Sequence, residues 1–199
     1  MVAESLRLRP GALIVFEGLD RTGKSTQVSR LQALIQQQPA PLFAHMPSGA
    51  TELTRAIYEV TERESIDSPL ARQLLHLACH AENIGPLTAA RRERAVVLDR
   101  WWWSTIAYGW RAVRGRYAMD EAVFTGMIDA IWSHLQADLV LLFTEPHVHD
   151  GHNREHVREA YESLAEQHRA LTVAVPKADP SETTALILSA LRGRDLIAG

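Results

Sequence analysis

The chain has 199 residues, of which 46% are hydrophobic and 23% charged, and its formal net charge is −3. This length and composition predict a single globular domain, residues 1–199, with residues 1–10 as an N-terminal extension. The small negative charge argues against a nucleic-acid polymer as a partner, because binding to a phosphate backbone usually needs a surplus of basic residues. A local basic pocket for one small anion remains compatible with this charge.

Cys79 is the only cysteine of the sequence. No intramolecular disulfide can therefore form, and we expect a reduced, cytoplasmic protein. No run of apolar residues is long enough for a transmembrane helix, so the sequence predicts no membrane partner. The apolar run 12–16 is also too short for a signal peptide.

Short apolar runs alternate with amphipathic segments along the chain. The runs predicted to be strands are 11–17, 42–44, 95–98, 139–143 and 171–175. The segments predicted to be helices are 24–38, 51–61, 68–92, 102–113, 119–135, 153–168 and 181–192. This alternation predicts an α/β fold in which a five-stranded parallel sheet is covered by helices on both faces. Ligands bind such sheets at the carboxyl ends of the strands.

The most specific motif of the sequence lies at residues 18–25. It reads GLDRTGKS, matches G-x-x-x-x-G-K-[ST], follows an apolar strand and precedes a helix, as this motif requires. Its glycines allow backbone N–H groups to surround phosphate oxygens, and the helix N-terminus adds positive potential. We predict that Lys24 reaches the β- and γ-phosphates of ATP and that the Ser25 hydroxyl ligates Mg²⁺. The residues predicted to bind ATP here are Gly18, Leu19, Asp20, Arg21, Thr22, Gly23, Lys24, Ser25 and Thr26.

Arg21 lies inside this loop, where a side chain can face the phosphates. An arginine at that place can stabilise negative charge on a phosphoryl group during its transfer. The alternative is an exposed loop residue without such a role.

The residues around the loop extend the pattern. Residues 16–27 read FEGLDRTGKSTQ, which resembles the thymidylate kinase family, whose loop runs F/L-E-G-x-D-x-x-G-K-S-T-Q. Residues 99–108 are similar to the family's D-R-Y/H-x-x-S-x-x-A-Y/F segment, residues 137–142 to its P-D-L strand, and residues 157–161 to the helix after its lid. The resemblance implies a three-layer P-loop kinase fold, ATP with Mg²⁺ as cofactors, a small nucleotide acceptor and a homodimer.

The resemblance also implies roles for individual residues. Asp20 would hydrogen-bond a sugar hydroxyl of the acceptor, Asp99 would help to organise Mg²⁺ or its waters, and Arg100 would contact the acceptor or the transferring phosphate. Lys177, after the fifth strand, would border the adenine. Arg21 matches the branch of the family that carries its catalytic arginine in the loop. The predicted catalytic residues are Arg21, Lys24, Asp99 and Arg100.

The segment 145–152, EPHVHDGH, is predicted to be a short lid without an arginine. Family members carry a longer lid, either arginine-bearing or glycine-rich, and Arg21 would make a lid arginine unnecessary. Histidines in and after this segment also raise the hypothesis of a metal site, because His152 and His156 have the i, i+4 spacing of one helix face. A solvated polar lid is the alternative. The side chains concerned are His147, His149, Asp150, His152 and His156.

The acceptor side departs from the family pattern. Where the family has R-x-P after the second strand, this chain has His45-Met46-Pro47, and where it has F-x-x-x-R, this chain has His76 and His80. Arginine binds phosphate bidentately and is always charged, whereas histidine does neither reliably. Unless the histidines are protonated, we expect an acceptor other than ordinary dTMP: a modified nucleotide, a nucleoside or another small hydroxyl compound. The predicted acceptor-binding residues are Asp20, His45, Pro47, His76, His80, Arg100, Trp101 and Tyr108.

The run Trp101–Trp103 cannot bury three adjacent rings on one face of a helix. We therefore predict that at least one ring lines the acceptor cleft or an interface, the alternative being a contact in the core.

Three functions are compatible with these features. The prediction that we adopt is ATP-dependent phosphorylation of a nucleoside monophosphate, dTMP-like or a modified pyrimidine nucleotide. The missing arginines motivate a kinase for a nucleoside or a similar metabolite, although Glu52, inside a helix, is the nearest carboxylate for a general base. The histidines and the short lid motivate a non-catalytic nucleotide-binding regulatory protein.

Overall fold

Strands and helices alternate along the residues that this computed structural model describes, 6–111, 119–148 and 151–197. The strands are β1 (Leu13–Gly18), β2 (Leu42–His45), β3 (Val96–Asp99), β4 (Leu139–Phe143) and β5 (Thr172–Ala174). The helices are α1 (Lys24–Leu34), α2 (Glu52–Arg63), α3 (Pro69–Glu93), α4 (Trp102–Ser104), α5 (Glu121–Trp132), α6 (Glu155–Gln167) and α7 (Pro180–Gly193), and a π-helical segment, Thr105–Trp110, follows α4 directly.

All five strands run parallel in one sheet, in the order β2-β3-β1-β4-β5. The predicted α/β fold with a five-stranded parallel sheet is therefore confirmed. β1 lies in the middle, and Phe16 of β1 pairs with Asp99 of β3. The chain reaches β2 and β3 on one side of β1 and β4 and β5 on the other, so the carboxyl ends of β1 and β3 lie at the point where ligands bind in such sheets.

The two faces of the sheet pack against separate apolar cores. Leu13 and Val15 of β1 face the core that contains residues of α3, α5 and α6. Ile14 and Phe16 face the other core, with residues of α1 and α7. This explains why the strand reads as a continuous apolar run, because in a sheet covered on both faces every residue is buried.

The predicted boundaries hold to within a few residues except at the end of α1. The sequence predicts a helix to residue 38, but α1 ends at Leu34, because Ile35 is extended and forms a parallel bridge with Leu6. Leu8, in the predicted N-terminal extension, is buried and bridges Ile197. Within the described residues no helix is both long and apolar enough to cross a membrane.

The prediction that one tryptophan of the run 101–103 reaches a cleft or an interface is wrong. Trp101, Trp102 and Trp103 are 2%, 8% and 0% exposed and belong to the same core. The helical argument fails because Trp101 precedes α4 in an extended conformation, so the three rings do not follow helical angles. Trp101 packs edge-on against Trp132 of α5, and Trp102 and Trp103 both contact the ring of His168.

Replacement of Trp103 by alanine should lower the free energy of unfolding by about 3–5 kcal/mol, because a fully buried indole leaves a large cavity. Urea denaturation gives this difference. The matched control is Leu53→Ala, a change on the exposed face of α2, which should stay within about 0.5 kcal/mol of the parent. Equal stability of the two variants would contradict the packing described here.

Candidate active site

The loop between β1 and α1 has the backbone that the phosphate-binding motif needs. Gly18 ends β1 at φ 128°, where an added Cβ would come within 1.9 Å of the Phe143 carbonyl oxygen, so only glycine fits. Gly23 precedes α1 at φ 91° in the left-handed region. Between them the Leu19 amide donates to the Phe143 carbonyl at 2.8 Å, and the Thr22 hydroxyl donates to the Leu19 carbonyl at 2.8 Å. The loop is therefore held against β4 and by its own side chains.

Lys24 is 5% exposed and lies over this loop. Its Nζ donates to the carbonyl oxygens of Gly18 at 3.1 Å and of Leu19 at 2.5 Å. Burial lowers the pKa of Lys24 to about 8, and the Arg100 guanidinium lowers it as well, while the carboxylates of Asp99, Glu17 and Asp20 act in the opposite direction. The lysine is thus a buried cation with acidic neighbours, whose charge an anionic ligand would favour further.

The residues predicted beside the loop do meet there. The Ser25 hydroxyl donates to Asp99 Oδ2 at 3.0 Å, which brings the end of β3 against the start of α1. Arg100, at φ 71°, forms an ion pair with Asp20 and donates to the Gly18 carbonyl at 3.3 Å. Its guanidinium carbon lies 5.3 Å from the centre of the Tyr108 ring, within the range of a cation–π contact.

A buried carboxylate, Glu17, joins β1 to the segment after β3. Its Oε1 accepts from the amides of Trp101 at 2.7 Å and Ser104 at 3.0 Å, and its Oε2 accepts from the hydroxyls of Ser104 at 2.7 Å and Tyr161 at 3.2 Å. The Ser104 hydroxyl in turn accepts from Arg100 at 2.9 Å. Burial raises the pKa of Glu17, whereas Arg100 and the bonds from Ser104 and Trp101 lower it. Glu17 therefore fixes the backbone that directly follows Arg100.

The chain after β4 contacts the loop directly. Asn153 accepts from the Asp20 amide at 2.9 Å through Oδ1 and donates to the Asp20 carbonyl at 2.7 Å through Nδ2. Tyr108 shares this site, because its hydroxyl accepts from the same amide at 2.8 Å. The His147 amide donates to the Arg21 carbonyl at 2.8 Å, and its ring lies beside Gly23. No sequence pattern pointed to this role for Asn153.

One cavity of about 780 Å³ joins the loop to a second cleft between β2, α2, α3 and the π-helical segment. The predicted residues that line it are Asp20, Arg21, Thr22, Gly23, Lys24, Ser25, Thr26, His45, Pro47, His76, Asp99, Arg100 and Tyr108. Three predicted donor-side residues do not line it: Gly18 and Leu19 are buried, and the exposed Lys177 donates to the Pro146 carbonyl at 3.3 Å. The cavity therefore contains every residue of the predicted catalytic set.

Two predicted acceptor residues do not line this cavity. Trp101 is buried in the core, as described above. His80 is fully buried, its Nε2 lies 2.9 Å from Thr105 Oγ1 and its ring packs on Trp132. The alignment with the family's arginine placed His80 in the cleft, but the face of α3 that carries His80 packs against α5. His80 can act on the cleft only through Thr105, which does line it.

Several lining residues were missed by the sequence analysis. The most consequential is Arg72, because it restores a fixed cation to a cleft that was predicted to have lost two. Arg72 precedes His76 by four residues, so the signal that could have found it was their shared face of α3. The remaining missed residues are Met46, Tyr58, Glu62, Gln73, Ser104, Thr105, Gly109 and His152.

The two cleft histidines are neutral rings rather than cations at pH 7. Burial lowers the pKa of His76 to about 4, with a smaller effect of Arg72 in the same direction. Burial also lowers the pKa of His45, although Asp99 raises it. The buried His80 follows the same rule, with a pKa of about 3. In the unliganded cleft, the histidines therefore do not replace the family's arginines as cations.

The described part of the lid region offers no group of three or more side chains that could hold a metal ion. His149 and Asp150 lie outside the described residues. The i, i+4 argument for His152 and His156 is wrong, because α6 begins at Glu155 and His152 precedes it in a turn.

The oxygen atoms beside Lys24 fit a magnesium ion. The Ser25 hydroxyl and the Asp99 carboxylate come together at 3.0 Å at the carboxyl edge of the sheet. Hydroxyl and carboxylate oxygens are the ligand types that Mg²⁺ prefers when it also binds phosphates. These two residues would hold the ion.

The parallel sheet, the phosphate loop and the adjoining cleft define a P-loop kinase fold. Comparisons with known proteins agree, since a solved thymidylate kinase from Ehrlichia chaffeensis superimposes with a TM-score of 0.76 at 19% identity, covering 90% of this chain and 98% of that one. A thymidylate kinase from Candida albicans gives a TM-score of 0.70 at 20% identity, with 98% and 96% covered.

The sequence model of the family described as thymidylate kinase matches residues 16–173. The chain therefore belongs to the thymidylate kinase family. Named relatives include a thymidylate kinase of Chlorobium chlorochromatii, 41% identical over 100 residues, which are 48% of this chain and 45% of that protein. Another, from Sulfurovum sp., is 32% identical over 132 residues, 66% of this chain and 65% of that protein. The chain thus spans about half to two thirds of the length of these relatives.

Affinity for ATP without metal should fall as the pH rises from about 7.5 to 9.5. The phosphates of ATP are already ionised at the start of this range, whereas Lys24 loses its proton above about pH 8 in the free protein. The loss can reach about tenfold per pH unit above that value. Calorimetric titration at several pH values measures it. Lys24→Met should bind weakly at every pH; a parallel decline in this variant would assign the effect to another group.

Glu17→Gln should lower the free energy of unfolding by about 2 kcal/mol or more. The substitution replaces one of the two carboxylate oxygens by an NH₂ group. This group is a donor, and it would face the N–H or O–H donors from which the oxygen accepted hydrogen bonds. Urea denaturation, compared with the exposed control Glu162→Gln, measures the difference. A variant as stable as the control would show that the bonds to Glu17 contribute nothing.

Proposed function

We propose that the protein transfers the γ-phosphate of ATP to a pyrimidine nucleoside monophosphate. The observation that carries the proposal is the single cavity, which joins the phosphate loop to a cleft for a second small molecule. Membership of the thymidylate kinase family supports the same reaction. The amides of the loop and Lys24 bind the donor phosphates, and His45, Pro47, Tyr108 and the residues beside them bind the acceptor.

The residues around the two phosphates supply charge and position rather than covalent chemistry. Lys24 and Arg100 both donate to the Gly18 carbonyl. Arg21 extends from the loop into the same cavity and would neutralise charge on the moving phosphoryl group. Bound Mg²⁺, held by Ser25 and Asp99, would supply further neutralisation between donor phosphates.

A nucleoside as acceptor is not favoured. The carboxylates that line the cavity are Asp20, Glu62 and Asp99. Asp20 is paired with Arg100, Asp99 accepts from Ser25, and Glu62 is exposed near the end of α2, so none of the three is set apart as a general base. Glu52, the candidate from the sequence, is exposed in the first turn of α2 and does not line the cavity.

A homodimer and a cytoplasmic location belong to the same proposal. The family resemblance supports the first, and the single cysteine supports the second because it fits a reducing compartment.

A phosphate-transfer assay tests the function. The protein with Mg-ATP is offered dTMP, dUMP, modified pyrimidine monophosphates and thymidine, and the phosphorylated product is quantified. We expect transfer to one or more of the monophosphates. Arg21→Met should lower kcat by about 10³-fold with ATP affinity retained, because its charge acts on the transferring group.

Arg55→Met is the control for this assay, because it removes an exposed arginine of α2. Absence of transfer to every monophosphate, with ATP still bound, would overturn the proposal in favour of a nucleotide-binding protein without this activity.

A further inference from the structure

The two arginines of the predicted catalytic set both have an unusual backbone. Arg21 has a φ of 57° and Arg100 a φ of 71°, in the left-handed region that residues with a Cβ rarely adopt. Such a conformation persists only where the surrounding structure holds it, and it occurs most often at functional sites. For Arg100, Glu17 fixes the backbone that follows. A separate set of contacts holds the backbone of Arg21.

Both peptide groups that flank the Cα atom of Arg21 are held by residues that follow β4. The carbonyl of Asp20 belongs to the peptide group before this Cα atom, and it accepts from Asn153 Nδ2 at 2.7 Å. The carbonyl of Arg21 belongs to the peptide group after it, and it accepts from the backbone amide of His147 at 2.8 Å. Because each peptide group is planar, φ and ψ of Arg21 cannot change without the loss of one of these bonds.

Asn153 contacts the loop backbone at two atoms of one residue. Its Oδ1 accepts from the backbone amide of Asp20 at 2.9 Å, while its Nδ2 donates to the carbonyl of the same residue. A carboxamide carries an acceptor and a donor side by side, whereas a carboxylate of the same shape has no donor for the carbonyl. The Tyr108 hydroxyl accepts from the same amide at 2.8 Å and donates to Asn153 Oδ1 at 2.7 Å, which fixes the orientation of the carboxamide.

Asn153 is itself anchored at the start of α6. It precedes Arg154, the N-cap residue of that helix. Val157 and Tyr161 of α6 are 1% and 0% exposed, and the Tyr161 hydroxyl donates to Glu17 at 3.2 Å. The carboxamide is therefore attached to a helix that is packed into the core, so it can hold the loop in one position.

We propose that Asn153 is a positioning residue for phosphoryl transfer, which keeps the backbone of Arg21 in the conformation that directs its guanidinium toward the transferring phosphate. This inference rests on the proposed function. Arg21 lines the cavity, and the two peptide planes at its Cα atom set the direction in which its side chain leaves the loop. Loosening these planes would displace a charge whose effect on the transfer depends on its position.

A comparison of Asn153→Ala with Arg21→Met and with the double variant tests the proposal. Asn153→Ala should lower kcat for phosphate transfer by about 10²-fold, because a displacement of about 1 Å can cost that much. The dissociation constant of Mg-ATP should change little, because Lys24 still binds the donor phosphates. In the Arg21→Met background, Asn153→Ala should cause little further loss, because the group through which it acts is gone.

Gln167→Ala is the matched control, since it removes an exposed carboxamide from the other end of α6, and it should keep the kcat of the parent. Asn153→Asp is a second variant with nearly the same shape as the parent side chain. A carboxylate oxygen then faces the Asp20 carbonyl in place of a donor, so kcat should fall here as well. Thermal unfolding confirms that each protein is folded.

A second measurement requires no turnover. Aluminium fluoride bound with Mg-ADP imitates the transferring phosphoryl group, and such mimics bind more tightly than ground-state ligands. The parent should therefore bind Mg-ADP about tenfold or more tightly when aluminium fluoride is present. Arg21→Met and Asn153→Ala should each lose most of this gain, whereas Gln167→Ala should keep it. Calorimetric titration measures the affinities.

Losses in kcat that multiply in the double variant would overturn the proposal, because Asn153 would then act on a group other than Arg21. An unchanged kcat in Asn153→Ala, or a loss of Mg-ATP affinity as large as the loss in kcat, would overturn it too. The same holds for a parent that gains no affinity from aluminium fluoride. A parent that transfers no phosphate, but shows a gain from aluminium fluoride that Asn153→Ala removes, would instead contradict the proposed function alone.

Discussion

The buried carboxylate of Glu17 is the contact on which the geometry of the site depends. It accepts bonds from the amides of Trp101 and Ser104 and from the Ser104 hydroxyl, all of which follow Arg100 in the chain. Through these bonds the end of β1, which continues into the phosphate loop, is locked to the end of β3, which supplies Asp99 and Arg100. A carboxylate has four lone-pair directions and no hydrogens, so it can collect several donors where no other side chain of its size could.

Charge is distributed unevenly along the cavity. Lys24 and Arg100 concentrate positive charge beside the phosphate loop, where the phosphates of donor and acceptor would have to approach each other against their mutual repulsion. The acceptor cleft is lined by the rings of His45 and His76, which burial keeps neutral. Arg72, near His76, supplies a fixed cation to this cleft. Compared with the family's R-x-P and F-x-x-x-R patterns, the acceptor side has therefore exchanged arginines for neutral aromatic surface.

The sequence predicted the features that a short contiguous segment determines. It failed for side chains whose position depends on packing between elements that are distant in the chain. The loop 18–25 and the five strands follow from a contiguous motif and from apolar runs that end at one edge of a sheet. The placement of His80 and Trp101 failed because it assumed that positions aligned with family residues face the cleft, whereas α3 and the segment before α4 turn them into the core. Tyr58 was missed because its place depends on how α2 packs against α3, which no local pattern reveals, whereas Arg72 could have been found from the face of α3 that it shares with His76.

In the proposed reaction, donor and acceptor occupy one cavity at the same time, with their phosphates beside Lys24 and Arg100. The most direct test is the affinity of a bisubstrate compound in which adenosine and thymidine are joined by a chain of phosphates. The compound should bind about 10²-fold or more tightly than ATP, because one molecule then fills both the phosphate loop and the acceptor cleft. Excess ATP and excess dTMP should each displace the compound. If the compound bound no more tightly than ATP, or if ATP alone displaced it, donor and acceptor would not share this cavity.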